Sequence, residues 1–298
     1  MSTHSLTKAA LRAEGLPRRR AVNRLMELLA WLAAALAVAI LGIVVWSVAR
    51  RGAGALNLDL ITKTPVQFSF TPVRQGLANA FAGSLVIVGI ATTMALPVAI
   101  LVAVYLNEFA RAGIRTAVSL TLDVLNGVPA IVIGIFVYGL LVVGRGQSAF
   151  AGSFALACIM LPLVARSTME VLALVPSSLR EASLALGVPR WRTTLSIVLP
   201  QTIGGIVTGT VLAVARVAGE TAPLLFVSSL VGTQVSWDPH HALQTVPVAI
   251  FELAESPDPA DHTRAWAAAL VLLLFILVAS LGARWLATRS SRRLSASR

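Results

Sequence analysis

The chain has 298 residues, of which 57% are hydrophobic and 12% are charged, and its mean hydropathy is +0.83. Water-soluble domains carry about 25% charged residues, so this composition excludes an ordinary soluble protein and predicts that most of the chain lies in lipid. The net charge of +11 does not indicate nucleic-acid binding, because the Lys and Arg residues lie in tails and short loops without interleaved aromatic residues.

Long charge-free runs locate the membrane spans, since a helix needs about 20 apolar residues to cross the hydrocarbon core. The sequence therefore predicts an all-α polytopic bundle of about six transmembrane helices. The first run is too long for the core of a signal peptide and no cleavage site follows it, so we expect a retained span. The predicted helices are 27–49, 78–104, 122–143, 150–168, 203–230 and 266–287.

The distribution of basic residues predicts that both termini face the cytoplasm. Of 24 Lys and Arg residues, 17 lie in the segments assigned to the inside and six in those assigned to the outside. An excess of Lys and Arg marks cytoplasmic segments. The lone cysteine, Cys158, lies in an apolar run, which excludes a disulfide within the chain and indicates a small core residue.

Two connecting segments are too long to be simple turns. The outer one, 232–264, carries five acidic residues, and its middle, 243–254, is too short to span a bilayer and is predicted to form an interfacial helix. The inner one contains EASLALGVPRWRTTLSIVLP, residues 181–200. We predict a short helix with Ser178 as N-cap and Glu181 three residues on, ended by Gly187. By its local pattern alone an ordinary amphipathic interfacial helix is the alternative.

The spacing in this inner segment resembles the signature loop of ABC importer permeases, EAA-x3-G-x9-I-x-LP. Glu181, Ala182, Gly187, Ile197, Leu199 and Pro200 match it, and Ser183 replaces the second alanine. Four further stretches are similar to the PstA-type phosphate permease subunits. They are RVAGETAPLLF (216–226), NGVPAIVIGIF (126–136), YLNEFA (105–110) and RSTMEVLALVPSSLREAS (166–183).

The resemblance implies a type I importer permease fold in the plasma membrane of a prokaryote. It covers about residues 78–287 and implies a permease domain at 78–288. Charge and hydropathy divide the rest of the chain into a basic cytoplasmic tail (1–26), a first helix (27–49), an external loop (50–77) and a second basic tail (289–298). A loop containing Glu181, Ala182, Ser183, Gly187 and Pro189 would couple this domain to an ATPase. The implied partners are a PstC-type second permease, a PstB-type ATP-binding subunit and a PstS-type extracytoplasmic phosphate-binding protein.

The chain itself contains no G-x4-GK-[ST] phosphate loop, so ATP must be hydrolysed by another polypeptide. We therefore expect a non-catalytic subunit that binds no cofactor, with ATP and Mg²⁺ on the partner ATPase. The histidines show no metal-ligand spacing, and we expect no metal site.

Charged residues inside predicted spans are candidates for the substrate path, because such residues are costly in lipid. Arg216 and Glu220 are four residues apart, which on one helix places them on the same face. They could form a self-neutralising ion pair, or Arg216 could bind a phosphate dianion through its planar fork of donors, with Glu220 accepting the proton of hydrogen phosphate, which sulfate lacks. In PstA-type permeases the corresponding residues are implicated in transport, which favours the second interpretation.

Arg166, near the inner end of the fourth span, is either an interfacial anchor or part of the exit path. Asp123, at the start of the third predicted span, is expected to favour a helix N-terminus and receives no transport role.

Three other interpretations remain open. A permease for another oxyanion, such as sulfate or molybdate, would share these features. A secondary transporter would need paired repeats with broken helices and would not need the EASLALG loop. A membrane enzyme would need nucleophiles, bases or metal ligands clustered in the spans, and the sequence shows none.

Overall fold

The computed structural model describes residues 16–66, 75–229 and 232–295, and these ranges contain helices and loops but no strand. The α-helices are α1 Leu16–Gly52, α2 Leu58–Thr62, α3 Ala78–Val104, α4 Ala112–Gly127, α5 Ala130–Val137, α6 Ala149–Ala173, α7 Ser177–Ala185, α8 Arg190–Thr193, α9 Leu199–Val217, α10 Leu224–Val227, α11 Val246–Glu255 and α12 Pro259–Ser295. Wide π-helical turns extend α3 (Tyr105–Phe109) and α5 (Tyr138–Val142) and join α8 to α9 (Thr194–Val198).

Five helical stretches are long and apolar enough to cross a membrane, and the bent pair formed by α4 and α5 makes a sixth candidate. The prediction of an all-α bundle with about six spans is confirmed. The spans at α3, α6 and α12 lie where they are predicted, although α12 extends several residues beyond both predicted ends.

The chain divides into two units, residues 1–51 and 52–298. The first unit is dominated by α1, which begins at Leu16 rather than at residue 27. Its basic residues from Arg18 to Arg24 therefore belong to a helix. The helix begins before the predicted span because Arg, Leu and Glu are good helix formers, and a charged residue marks the edge of the membrane without ending the helix. None of the residues in its most apolar window is buried. The part of the predicted tail before Leu16 lies outside the described residues.

The second unit is built around α3 packed along α6. Four alanines at four-residue intervals on α3 are fully buried, namely Ala91, Ala95, Ala99 and Ala103. This spacing places them on one helix face, and small side chains there let two helix backbones approach closely. Helix α9 also contacts α6, since a Cβ on Gly205 would lie 2.5 Å from Val171, and one on Gly209 would lie 2.5 Å from the Ser167 hydroxyl. Thus α9 also packs tightly on α6.

The third predicted span, 122–143, is not one helix. The structure breaks it into α4 and α5, which meet at an angle of 95°. The break follows from Pro129, which pushes the preceding residue out of the helical region, and Val128 is accordingly extended at φ −66°, ψ 128°. Charge-free length cannot reveal such a bend, because both arms are apolar.

The fifth span is displaced from its predicted position. It runs from Arg190 through α9 to Val217, instead of 203–230. Its end coincides with Ala218-Gly219, and Pro223 follows, a residue that cannot donate a backbone hydrogen bond within a helix. Residues 218–223 form turns before the short helix α10, and residue 230 lies outside the described part of the chain.

The outer segments contain more helix than predicted. The predicted external loop 50–77 includes the end of α1 and the short helix α2, and its residues 67–74 lie outside the described part. The predicted helix at 243–254 is confirmed as α11. Its first turn is buried against the protein, and the backbone N–H of Val246 donates to the Ser84 hydroxyl of α3 at 2.8 Å.

A polar network ties α11 to the start of α3. The side-chain amide of Asn79 donates to the carbonyl oxygen of Gly232 at 2.6 Å and to Gln244 Oε1 at 2.8 Å. Gln244 in turn donates to Glu252 on α11 at 2.5 Å. Burial raises the pKa of the Glu252 carboxyl above its ordinary value, since burial disfavours the charged form. The outer segment 232–264 is therefore an integral part of the packed unit.

Candidate functional sites

The predicted coupling loop, residues 177–189, is a short helix followed by a sharp stop. Helix α7 begins at Ser177 after Pro176, and no side chain caps it. The predicted capping box from Ser178 to Glu181 is therefore wrong, because the N-cap position is occupied by Pro176, two residues earlier than that box requires. The prediction that Gly187 ends the helix is confirmed, and Gly187 has a positive φ of +76° there.

The stop at Gly187 is a complete Schellman motif. The N–H of Val188 donates to the carbonyl oxygen of Ser183 at 3.2 Å, and the N–H of Gly187 donates to that of Leu184 at 2.9 Å. These two bonds satisfy carbonyl groups that would otherwise lack partners at the helix end. The turn leads through Pro189 into α8 and so places two short helices side by side.

The two short helices are joined through the one position that departs from the signature. Ser183 is 5% exposed, and its hydroxyl lies 2.8 Å from the Thr193 hydroxyl of α8 in a hydrogen bond. A buried hydroxyl without a partner is costly, so Thr193 compensates for the serine. Around this contact Glu181, Ala182 and Pro189 are exposed, and Leu186 at the tip is 83% exposed.

Helix α7 is also joined to the ends of two long helices by a contact that the sequence reasoning did not find. The Arg180 guanidinium donates to both carboxylate oxygens of Glu108, at 2.8 Å and 3.1 Å. It also donates to the carbonyl oxygens of Val175 at 2.6 Å and of Leu172 at 3.0 Å. Glu108 lies in the π-helical turn after α3, and Leu172 lies near the end of α6.

Arg216 and Glu220 do not form the predicted pair on one helix face. Arg216 lies in the last turn of α9 and is exposed, whereas Glu220 lies beyond the helix end and is partly buried. Within the described ranges neither side chain has a hydrogen bond or an ion pair. Because the helix stops at Val217, the four-residue spacing no longer places the two side chains one above the other.

The turn that carries Glu220 lies against the broken third span. Pro223, which follows this turn, packs so closely on α5 that a Cβ on Gly134 would lie 2.6 Å from the Pro223 Cα atom. The side-chain amide of Gln147 donates to the carbonyl oxygen of Phe226 in α10 at 3.2 Å. The segment that follows α9 therefore packs on α5, one arm of the broken span, and irregular backbone at membrane depth is tolerated where protein buries it.

Arg166 is engaged within the chain. Its guanidinium forms an ion pair with Asp123 and donates to the carbonyl oxygen of Ser119 at 2.8 Å. Asp123 lies near the C-terminal end of α4, so the expectation that it favours a helix N-terminus is wrong. An acid near a helix C-terminus is unfavourable by itself, and Arg166 offsets this charge. In the described part of the chain, no hydrogen bond or ion pair links Arg166 to Arg216 or Glu220.

Comparison with known proteins identifies the family. Residues 95–292 match the family described as the binding-protein-dependent transport system inner membrane component. The chain belongs to this family. It is 38% identical over 269 residues to the phosphate transport system permease protein PstA of Pasteurella multocida strain Pm70, covering 89% of this chain and 94% of that protein. It is 42% identical over 225 residues to PstA 1 of Mycobacterium tuberculosis H37Rv, covering 73% and 72%.

Solved structures show that the permease shares its fold with other importer permeases. An inward-facing structure of the MetNI methionine ABC transporter gives a TM-score of 0.56 at 17% identity, covering 72% of this chain and 93% of that chain. A bacterial ABC transporter that imports the acidic polysaccharide alginate gives 0.54 at 18% identity, covering 87% and 96%. The permease is thus a type I ABC importer subunit by fold, and its family works with an ATPase and a binding protein.

Two sequence signals could have located the contacts that were missed. Glu108 is the acid that closes the long charge-free run 75–107, where a charge needs either water or a partner. Gly134 lies four residues after the start of α5 in an otherwise bulky apolar stretch, where a glycine suggests close backbone approach. Neither signal identifies the partner, because Arg180 and Pro223 are remote in the chain.

The close approach at Gly134 gives a prediction for the stability of the permease. Gly134→Ala should lower its free energy of unfolding by about 1–3 kcal/mol, the usual cost of overpacking, since the contacted Pro223 atoms belong to the backbone and cannot rotate away. Gly139→Ala in the following π-helical turn is the control, because nothing lies within 4 Å of its Cβ position. Thermal unfolding of the purified permease in detergent measures both. Equal unfolding midpoints for the two variants would contradict the packing described here.

Proposed function

We propose that this permease is the PstA-type subunit of an ATP-driven importer of inorganic phosphate. It forms half of the translocation path together with a PstC-type permease and receives phosphate from a PstS-type extracytoplasmic binding protein. A PstB-type subunit, which holds ATP and Mg²⁺, docks on the coupling loop. The observation that carries this proposal is the similarity to PstA proteins along most of the chain. It is joined by an exposed arginine, Arg216 at the end of α9, that has no hydrogen-bond or ion-pair partner in the described part of the chain.

The exposure of Arg216 and its lack of a partner in the described part of the chain support the proposal of an anionic substrate. The Arg216 guanidinium is exposed and makes no bond to the described part of the chain, so all its donors are available to an oxyanion or to the second permease. A planar guanidinium can bind two phosphate oxygens at once. Arg166, by contrast, is already paired with Asp123 and hydrogen-bonded to the Ser119 carbonyl group. We therefore place Arg216 on the phosphate path, with Glu220 beside it on the adjoining turn, and give Arg166 the role of a support at the inner end.

The exposed surface of the coupling loop supports docking of the ATPase subunit. Leu186 and Trp191 expose large apolar side chains beside the exposed carboxylate of Glu181. Burying such side chains against a partner is favourable by about 25 cal/mol per Å² of apolar surface. From the distribution of basic residues we place this loop and both termini on the cytoplasmic side of the cell membrane.

Uptake by the complete transporter tests the proposed substrate. The four proteins should be reconstituted in vesicles with ATP on the side of the ATPase, and uptake of labelled phosphate should then depend on ATP and on the binding protein. A tenfold excess of sulfate or molybdate should leave phosphate uptake unchanged. Transport of sulfate or molybdate in place of phosphate would favour the other-oxyanion interpretation, and uptake without ATP would favour a secondary transporter.

A further inference from the structure

The contact between Arg180 and Glu108 joins elements that the proposed function requires to move together. Four hydrogen bonds from one guanidinium connect α7 to the π-helical turn after α3 and to the C-terminal end of α6. Arg180 and Glu108 are 72 residues apart in the chain. The Leu172 carbonyl group lies in the last turn of α6, where it also accepts the N–H of Val175 at 3.3 Å, and the Val175 carbonyl group lies just beyond that turn.

The burial of Glu108 makes this contact rigid. The Glu108 side chain is 9% exposed and that of Arg180 is 23% exposed, so water screens the pair far less than it screens a surface ion pair. Asn107 donates a further bond to Glu108 at 3.2 Å. Separating α7 from α3 would leave a nearly buried carboxylate without its cation, which is the costly outcome for a buried pair. The two helices are therefore expected to move as one body.

The coupling loop has a second attachment on its other side. The bond from Ser183 to Thr193 holds α7 to α8, and α8 continues through a π-helical turn into α9, whose last turn carries Arg216. The loop thus touches, on one side, the inner ends of the packed pair α3 and α6, and on the other side the helix that ends at the candidate substrate residue. A displacement of α7 must act on both.

We propose that Arg180 is a positioning residue for coupling, which through Glu108 passes the movement of the coupling loop to α3 and α6. This inference rests on the proposed docking of an ATPase on that loop. Arg180 touches neither phosphate nor ATP. It sets how much of the ATPase movement reaches the bundle, so its loss should lower the phosphate transported per ATP hydrolysed without loosening the ATPase.

Conservative variants of the complete four-protein transporter test this inference. Arg180→Lys keeps the positive charge but loses the planar set of guanidinium N–H donors, and Glu108→Gln keeps the shape of the side chain but loses its negative charge. Each should lower the amount of phosphate transported per ATP hydrolysed by about tenfold, the fold-change that corresponds to the loss of one charge-assisted hydrogen bond. The double variant should lose about tenfold as well, because the two residues act as one unit. The control is Arg115→Lys, an exposed arginine lining the same cavity as Arg180, whose bond to Asn107 is 3.5 Å long.

Co-purification of the ATPase with each variant separates this inference from the proposed function. We expect all variants to retain the ATPase as the unaltered permease does. Normal transport per ATP in both single variants overturns the inference, and so does a hundredfold loss in the double variant, or a loss of ATPase that matches the loss of transport. If the unaltered permease itself retains no ATPase, the proposed function fails first.

Discussion

Arg216→Met should abolish phosphate uptake by the assembled transporter, with a loss of roughly 100-fold expected for two charge-assisted hydrogen bonds to the anion. The structure separates this loss from a folding defect. Arg216 is exposed at the end of α9 and has no partner in the described part of the chain, so its removal strands no buried group. Arg216→Lys keeps the charge without the planar fork and should retain partial uptake.

The double variant Arg216→Met with Glu220→Gln decides between a substrate site and a structural ion pair. If the two residues neutralised one another, removing both charges would restore a working permease. Because the structure forms no such pair, we expect the double variant to remain inactive. Uptake in vesicles, normalised to assembled complex, measures this, and Arg145→Met in the loop before α6 is the matched control. Normal uptake by the double variant would remove Arg216 from the path and direct attention to Arg166.

Gly187→Val should weaken ATPase association by about fivefold and lower transport in proportion. The reason is conformational, since Gly187 has φ +76° and nothing lies within 4 Å of its Cβ position. A β-branched residue adopts that conformation at a cost of roughly 1–2 kcal/mol. It would therefore release the two bonds of the Schellman motif and displace Val188-Pro189.

Gly187→Asn is the matched control, because asparagine enters the left-handed region more readily than other residues with a Cβ. It should keep most of the association and transport. Glu181→Lys reverses an exposed charge on the same helix without touching a bond in the described structure, and it should weaken docking while the permease still inserts. ATPase retained on the immobilised permease measures all three variants. Equal behaviour of the valine and asparagine variants would mean that this turn does not position the docking surface.

Local signals in the sequence determined the class of fold and the short-range features. Charge-free length determined the spans at α3, α6 and α12, because lipid accepts only helices or closed barrels with satisfied backbone groups. The EASLALG spacing determined the family and the helix stop at Gly187, because a glycine in the left-handed region needs no tertiary partner. The short length of residues 243–254 similarly predicted α11.

The tertiary structure alone decided at which prolines an apolar segment leaves the helix and which charges meet, since Pro97 and Pro162 lie inside helices that continue past them. Hydrophobicity does not distinguish a straight span from the bend at Val128-Pro129, or from the turn after Val217, because lipid or packed protein surrounds all of them. The premise of an Arg216–Glu220 helical pair failed for this reason. The contacts of Arg180 with Glu108 and of Arg166 with Asp123 join residues distant in the chain. Their pairing follows from how α3, α4, α6 and α7 pack. The sequence around a charged residue does not identify a partner that is distant in the chain.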